Sequence, residues 1–266
     1  MKLTTMPIDE AARIVDEFAA KVAAQGNEAA TQYMTSQKCR YIHTLAHMPH
    51  GDDSKVALEV GTTEIFNIWM HDILRYGRVD CTVFDRNIEE KQYVKDGIRY
   101  FNADLERELI QVPDNTYDLV VCMEVLEHLS VDPMYMLAEL NRITKPGGQI
   151  FLTTPNITSA RGIWKMLRGE APYLFYVYFT HHPYEGRHNL EYSPRILKET
   201  MEAAGYETES FWTMDTFTAP VPAVTEILNQ LRLPTDMRGD NMFYIGRKVS
   251  GVKNRYPPAL YYLSPE

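Results

Sequence analysis

Acidic residues stand at the ends of four apolar runs in the sequence, at Glu59, Asp85, Asp104 and Glu124. Hydrophobic patterning does not require an acid at each of these ends. A carboxylate after the second run can accept hydrogen bonds from both hydroxyls of a ribose. Asp85 follows Gly61 by 24 residues, near the spacing of about 20 expected for that role. Asp104, after the third run, can accept from the amine of an adenine. The set therefore indicates a site for a ligand that contains a nucleoside.

The loop around Gly61 departs from a dinucleotide-binding pattern. The apolar stretch KVALEV leads into Gly61, but the sequence TTE follows where a nicotinamide dehydrogenase would have further glycines. A dehydrogenase is therefore disfavoured. The acids also have a purely structural interpretation, in which Asp85 caps a helix and Asp104 is a solvated turn residue.

The elements that must position these residues alternate between short apolar runs and helical patterns from residue 55 onwards. The runs are KVALEV, DCTVFD, IRYFNAD, YDLVVCME and GGQIFLTTP, with later candidates at YETESFW and NMFYIGRK. Runs that are buried on both faces and separated by helices form a doubly wound parallel sheet. The sequence therefore predicts an α/β fold with its ligand site at the carboxyl ends of the strands.

The chain divides into a main domain with additions. Residues 1–50 have helical periodicity and form a predicted N-terminal extension. Residues 51–250 form the predicted domain, interrupted after the fifth strand by an aromatic, histidine-rich insertion at about 156–192. The tail, 251–266, is expected to pack on the domain or on a second copy in a homo-oligomer.

Composition limits the partners and the compartment. The net charge of −9 and a pI of about 5.4 give no overall attraction for nucleic acid or anionic lipid. The three cysteines lack metal-ligand spacing and fit a reducing cytoplasm. The N-terminal sequence lacks the apolar run of a signal peptide, and the apolar stretch APYLFYVYF is too short to span a bilayer. We therefore expect a cytoplasmic protein without a transmembrane segment.

Five motifs follow one another between Lys55 and Asn156: ALEVGTTE, VFD, NADLE, YDLVVCMEVLEHL and LNRITKPGGQIFLTTPN. In this order they resemble the motifs of class I S-adenosylmethionine-dependent methyltransferases, in particular the type 11-like O-methyltransferases of bacterial polysaccharide and natural-product pathways. The resemblance implies a Rossmann-like, seven-stranded methyltransferase sheet and S-adenosylmethionine as cofactor.

The resemblance also implies roles for the residues at the strand ends. Glu59 and Gly61 would line the methionine part of the cofactor and Thr62 would add a polar contact, Asp85 would hold the ribose, Asp104 and Leu105 would bracket the adenine, and Met123 and Glu124 would close the near side. A sulfonium cofactor has no pyrophosphate, so the loop does not need the dense backbone donors of a dinucleotide site.

The insertion contains the stretch THHPYEGRHNLEYSP, which supplies candidates for the acceptor side. Methyl transfer to a hydroxyl needs in-line alignment and removal of a proton, and histidine titrates in the range of a general base. His182 or His188 is the predicted base, with Arg187 or Tyr192 orienting the acceptor. The alternative is that these histidines are surface residues beside a helix cap.

The stretch EVLEH suggests a metal site as a further hypothesis. Glu124, Glu127 and His128 have helical i, i+3, i+4 spacing, so their side chains could converge and, with His188, bind a divalent metal. Small-RNA 2′-O-methyltransferases and ubiquinone O-methyltransferases resemble this sequence there and use a metal. In much of the superfamily, however, a histidine at this position only packs or caps.

The predicted function is methylation of a sugar or other small-molecule hydroxyl. The runner-up acceptor is a quinone or other lipid phenol, suggested by the apolar part of the insertion, whereas nucleic acid is disfavoured by the charge. The alternative from another class is a non-catalytic binding protein that keeps the methyltransferase fold.

Overall fold

A computed structural model describes residues 6–62, 64–172 and 188–261 of the chain. Its strands are β1 Val56–Val60, β2 Arg78–Val83, β3 Gln92–Lys95, β4 Ile98–Asn102, β5 Tyr117–Met123, β6 Thr144–Pro155, β7 Tyr206–Met214 and β8 Asn241–Lys248. Its helices are α1 Ile8–Ala24, α2 Glu28–His47, α3 Phe66–Asp72, α4 Pro133–Ile143, α5 Ala160–Leu167, α6 Pro194–Ala203 and α7 Pro222–Gln230.

The strands form one sheet in the order β3-β4-β2-β1-β5-β6-β8-β7. Strands β4, β2, β1, β5 and β6 are parallel neighbours, whereas β8 runs antiparallel between β6 and β7. The order reverses direction between β1 and β5, which is where doubly wound sheets bind their ligands. This arrangement confirms the predicted Rossmann-like α/β fold.

The predicted number of seven strands is wrong because β3 adds an eighth at the edge of the sheet. It pairs antiparallel with β4 through a tight turn at Asp96 and Gly97, both of which have positive φ angles (53° and 79°). An Asp-Gly pair between two apolar runs is a strong hairpin signal. The sequence KDGI therefore already indicated the hairpin between β3 and β4.

Alternating residues of the central strands pack against different helices. Ala57, Leu119 and Phe151 belong to the core cluster that includes residues of α1, α2 and α3. Leu58, Val120 and Leu152 belong to the cluster that includes residues of α4 and α6. Both faces of the sheet are thus buried, as the continuous apolar runs predicted. The predicted N-terminal helices contribute to the first of these clusters.

Several local elements differ from the prediction. Helix α3 is short and ends at Asp72, and the chain turns at Arg75, whose φ angle is 68°. The insertion predicted to be irregular begins with α5, and α7 was not predicted at all. No helix in the described part of the chain is long and apolar enough to cross a membrane.

Candidate functional site

The loops that follow β1 and β5 touch at the point where the strand order reverses. Gly61 has a φ angle of +66°, and a Cβ placed on it would lie 2.8 Å from Cγ2 of Val125. Its amide donates to Oγ1 of Thr82 on the neighbouring strand at 3.0 Å. Only glycine combines this backbone conformation with such a close approach. The predicted ligand loop is therefore tightly shaped although it has a single glycine.

The Glu59 carboxylate holds this loop through hydrogen bonds. Its carboxylate is buried, and Oε2 accepts from the Thr62 hydroxyl at 2.7 Å and from the Asn67 amide at 3.0 Å. Asn67 lies in the first turn of α3, where a carboxylate is favoured by the helix dipole. Oγ1 of Thr62 also accepts from the Glu64 amide at 2.9 Å. Both predicted cofactor contacts, Glu59 and Thr62, thus take part in shaping the loop.

Asp85 follows β2, and its two carboxylate oxygens have different surroundings. Its Oδ1 accepts from the amide and the side-chain nitrogen of Asn87, at 2.8 and 3.0 Å. Among the described residues, no hydrogen-bond partner is found for its Oδ2. Asn102 fixes the loop by donating to the carbonyls of Asp85 and Ile88. Asp85 thus forms a local turn with Asn87 and does not cap a helix as the structural interpretation predicted, because the described residues between β2 and β3 form no helix.

Asp104 is more fully engaged than Asp85. Its Oδ1 accepts from the Glu106 amide at 3.1 Å, and its Oδ2 lies 3.7 Å from Nε of Arg107. Leu105 packs partly buried against the core cluster under α4. Both carboxylate oxygens of Asp104 therefore contact residues of its own turn, next to the apolar surface that Leu105 presents.

Glu124 ends β5 in a left-handed conformation, with a φ angle of 54°. Its Oε1 accepts from Nδ2 of Asn241 at the start of β8, at 3.1 Å, and the preceding residue, Met123, is buried. The prediction that Glu124 shares a helix face with Glu127 and His128 is wrong, because only Leu126–His128 form a single 3-10 turn. Glu124 is not in the group of ligand atoms that lie within 4.8 Å of one another, although its charge still acts on Glu127.

The other three members of the predicted metal set do come together. One ligand atom each from Glu127, His128 and His188 lies within 4.8 Å of the others. The 188–190 segment is held there because the Asn189 amide donates to the Glu127 carbonyl at 2.7 Å and Asn189 Nδ2 to the His128 carbonyl at 2.7 Å. Nδ1 of His188 contacts Oε1 of Glu191 at 2.8 Å. Two imidazoles and a carboxylate thus converge from two segments of the chain.

Glu127 is fully buried, and its environment is unusual for a carboxylate. Oε2 accepts from the Thr154 hydroxyl at 2.9 Å, but Oε1 has no hydrogen-bond partner among the described residues. Burial raises the pKa of Glu127 well above its usual range, and the charge of Glu124 raises it further. The Thr154 hydrogen bond and the charge of Arg40 act in the opposite direction. A cation beside Oε1 would satisfy this carboxylate.

Sequence reasoning missed Arg40, a buried cation on α2. Its Nε donates to Oε1 of Gln37 at 2.9 Å, but Nη1 is buried without a hydrogen-bond partner in the described part of the chain. A buried guanidinium nitrogen without an acceptor is rare in a stable fold. Arginine suits the planar recognition of a carboxylate. The only signal in the sequence was a charged residue on the otherwise apolar face of α2.

The remaining acceptor candidates have different outcomes. His182 and Arg187 lie outside the described residues. Tyr192 is fully buried and pairs with Asn156 through an isolated β-bridge. Burial raises the pKa of Tyr192, with Glu127 as the next cause. This tyrosine lies inside the core beneath the cluster of Glu127, His128 and His188, while its role toward an acceptor stays a prediction.

Comparison with known proteins places these features in a family. A family model described as a methyltransferase domain matches residues 31–210. A ubiquinone biosynthesis O-methyltransferase of Aeromonas salmonicida is 39% identical over 59 residues, 22% of this chain and 24% of the relative. An uncharacterised methyltransferase of Schizosaccharomyces pombe is 48% identical over 48 residues, 18% of this chain and 17% of the relative. The chain thus spans about a quarter or less of the length of these curated relatives.

Solved structures agree at the level of the fold. One is a chain from the complex of the Haloferax volcanii Trm112 methyltransferase activator with a methyltransferase. It has a TM-score of 0.56 and 17% identity, with coverage of 89% of this chain and 98% of that one. An S-adenosylmethionine-dependent methyltransferase of Mesorhizobium loti has a TM-score of 0.52 and 14% identity, with coverage of 79% and 97%.

Proposed function

The chain belongs to the methyltransferase domain family, and on that premise we propose that it transfers a methyl group from S-adenosylmethionine to a hydroxyl oxygen of a small molecule. The main support is Oδ2 of Asp85, for which the described residues offer no hydrogen-bond partner, together with the tightly shaped Gly61 loop. Ribose hydroxyls would donate to Asp85, and the close backbone approach at Gly61 suits the methionine part. Nη1 of Arg40, which is without a hydrogen-bond partner among the described residues, would bind the cofactor carboxylate.

The other cofactor contacts are more indirect in this proposal. Glu59 and Thr62 hold the loop in shape, and Leu105 offers an apolar surface to the adenine. Asp104 keeps that surface in place through its turn. Met123 and Glu124 border the site on the β5 side, with Glu124 fixed by Asn241.

When bound, S-adenosylmethionine supplies an electrophilic methyl group on a sulfonium. The chain must then orient the acceptor and remove its proton. In our proposal, His188 is the base: with a proton on Nδ1, it donates to Glu191, so that Nε2 carries the lone pair. A fixed tautomer of this kind is what a base requires. His182 remains the second candidate.

A divalent cation is an alternative use of the same histidine, because Nε2 of His188 cannot both bind a cation and accept a proton; with the cation bound, His182 would be the base. Glu127, His128 and His188 would bind the cation, because imidazoles suit Zn²⁺ and a carboxylate also suits Mn²⁺. Oε1 of Glu127 supports this set, because it has no hydrogen-bond partner among the described residues and lies 3.8 Å from Nε2 of His128. Binding there would also displace the proton that burial favours on Glu127.

The acceptor we propose first is a sugar hydroxyl, on the resemblance to enzymes of polysaccharide and natural-product pathways. A quinone phenol is the second candidate, and the partial similarity to ubiquinone biosynthesis O-methyltransferases favours it. Both acceptors carry a hydroxyl that must lose a proton. A non-catalytic binding protein remains the rival from another class.

The decisive experiment is calorimetric titration with S-adenosylmethionine and S-adenosylhomocysteine, with and without Mn²⁺. We expect Asp85→Ala to weaken binding roughly 10- to 100-fold, since it removes a charge-assisted hydrogen-bond acceptor. Asp236→Ala, at an exposed site away from this loop, is the control. Binding by wild type without turnover on sugar or phenol acceptors would favour the non-catalytic alternative. No binding by wild type would refute the proposal.

A further inference from the structure

The segment 253–261 returns across the molecule to the start of α4. Its first residues are anchored at the end of α6, where the amides of Lys253 and Asn254 donate to the Ala203 carbonyl at 2.8 and 3.2 Å. Farther along, Pro257 is buried and Leu260 and Tyr261 pack against the core cluster that also contacts Leu105. The segment therefore lies on the adenine side of the proposed cofactor site.

Asp132, the residue that precedes α4, receives this segment. The Arg255 guanidinium binds both of its carboxylate oxygens, and the Tyr261 hydroxyl donates to its Oδ1. The Tyr261 oxygen in turn accepts from the Met134 amide at 3.3 Å. Burial alone would raise the pKa of Asp132, but the bonds from Arg255 and Tyr261 outweigh it and hold the pKa below its usual range. The Asp132 carboxylate is thus held in place by two residues of the 253–261 segment.

Glu106 holds the same loop from the inside. Its carboxylate accepts from the amides of Val131 and Asp132 and from the Ser130 hydroxyl. The Glu106 amide donates to Asp104 Oδ1 at 3.1 Å. A continuous set of hydrogen bonds therefore joins the 253–261 segment to the turn at Asp104 and Leu105 that follows β4.

We propose that Arg255 and Tyr261 are positioning residues for the adenine end of the cofactor. They act through Asp132 and Glu106, which fix the turn that carries Leu105, and they have no contact with the cofactor itself. Without the two outer groups, Asp132 loses its charge-assisted partners and the loop 130–132 no longer holds Glu106 in one place. This inference rests on the proposed function, because it assigns the Leu105 surface to the adenine.

The test compares Tyr261→Phe with Tyr256→Phe. Both variants remove one tyrosine hydroxyl, but the Tyr256 side chain is exposed, and its known contacts are made by its ring and its backbone. We expect Tyr261→Phe to raise the Kd for S-adenosylhomocysteine roughly three- to tenfold and to raise the Kd for adenosine by the same factor. Tyr256→Phe should leave both values unchanged. Arg255→Gln gives a second variant with the same expectation.

The outcomes distinguish a failure of this inference from a failure of the proposed function. Wild-type affinity in Tyr261→Phe and Arg255→Gln, even with a lowered melting temperature, would mean that the segment only stabilises the fold, and the inference would be wrong. A loss confined to S-adenosylhomocysteine, with adenosine unaffected, would also overturn it. Failure of wild type to bind either ligand would instead contradict the proposed function.

Discussion

Val125 occupies the space into which a side chain on Gly61 would project, so the loops after β1 and β5 fit together only with a glycine there. The distance from an added Cβ to Cγ2 of Val125 is 2.8 Å. The contact joins the two halves of the sheet at the point where the strand order reverses. Correct spacing of the proposed methionine-binding loop from the β5 side depends on it.

We predict that Gly61→Ala weakens binding of S-adenosylhomocysteine strongly and destabilises the fold. The left-handed φ angle costs alanine about 1–2 kcal/mol, and the overlap with Val125 adds to it. The double variant Gly61→Ala/Val125→Ala should recover the steric part but not the backbone part. Chemical denaturation and calorimetric titration of the three proteins would measure both. If the double variant were no better than Gly61→Ala, the contact with Val125 would not be the cause.

The second prediction concerns Arg40. Arg40→Met keeps the length of the side chain and removes a buried charge whose Nη1 has no acceptor in the part of the chain that the structure describes. We expect the ligand-free variant to unfold at the same or a higher temperature, because the desolvated charge is gone. Affinity for S-adenosylmethionine should fall roughly 10- to 100-fold, because the cofactor carboxylate loses its partner.

Arg142→Met is the matched control for this prediction. The Arg142 guanidinium binds Glu139, Asp114 and the carbonyls of Ile110 and Val112. Its removal strands buried Glu139 and should cost about 3–5 kcal/mol of stability. Arg40→Met with unchanged affinity would mean that Arg40 does not bind the cofactor.

The positions of most strands in the sequence were predictable because they follow from patterns within short stretches. Continuous apolar runs predict parallel strands, and β8 was predicted with its observed bounds, Asn241–Lys248. The hairpin at Asp96 and Gly97 was equally local, and its omission was an error of interpretation. Most elements of the fold could therefore be predicted from short-range sequence patterns.

The site was less predictable because its contacts join residues far apart in the sequence. Helical spacing suggested one helix face for Glu124, Glu127 and His128, but the left-handed backbone at Glu124 interrupts the helix, and Oε1 of Glu124 accepts from Asn241. Sequence periodicity cannot predict a backbone turn whose side chain contacts a residue 117 positions away. Arg40 is similar, since its importance comes from what surrounds it and not from its neighbours in the chain.

The third prediction uses the buried carboxylate of Glu127 in metal-free protein. Burial raises its folded pKa above the ordinary value of 4.5. Below pH 4.5 the folded and unfolded states are both protonated, and the group makes no pH-dependent difference. As the pH rises above 4.5, the unfolded chain loses the proton first, so the folded state loses stability until its own pKa is passed. Each unit between the two pKa values corresponds to about 1.4 kcal/mol.

Glu127→Gln should abolish this part of the pH dependence, since glutamine fills the same space without a charge. We expect the variant to be more stable than wild type near neutral pH and equal to it near pH 4, as measured by denaturant unfolding in the presence of a chelator. Glu139→Gln is the control, because Glu139 is also buried but is held by Arg142. That variant should lose stability near neutral pH. Mn²⁺ should stabilise wild type and not Glu127→Gln. The cation can displace the proton of the Glu127 carboxyl group and bind the resulting carboxylate, whereas glutamine offers no charge. Equal stability of wild type and Glu127→Gln from pH 4 to 8 would show that Glu127 is ionised in the folded protein without cost, contrary to its buried surroundings.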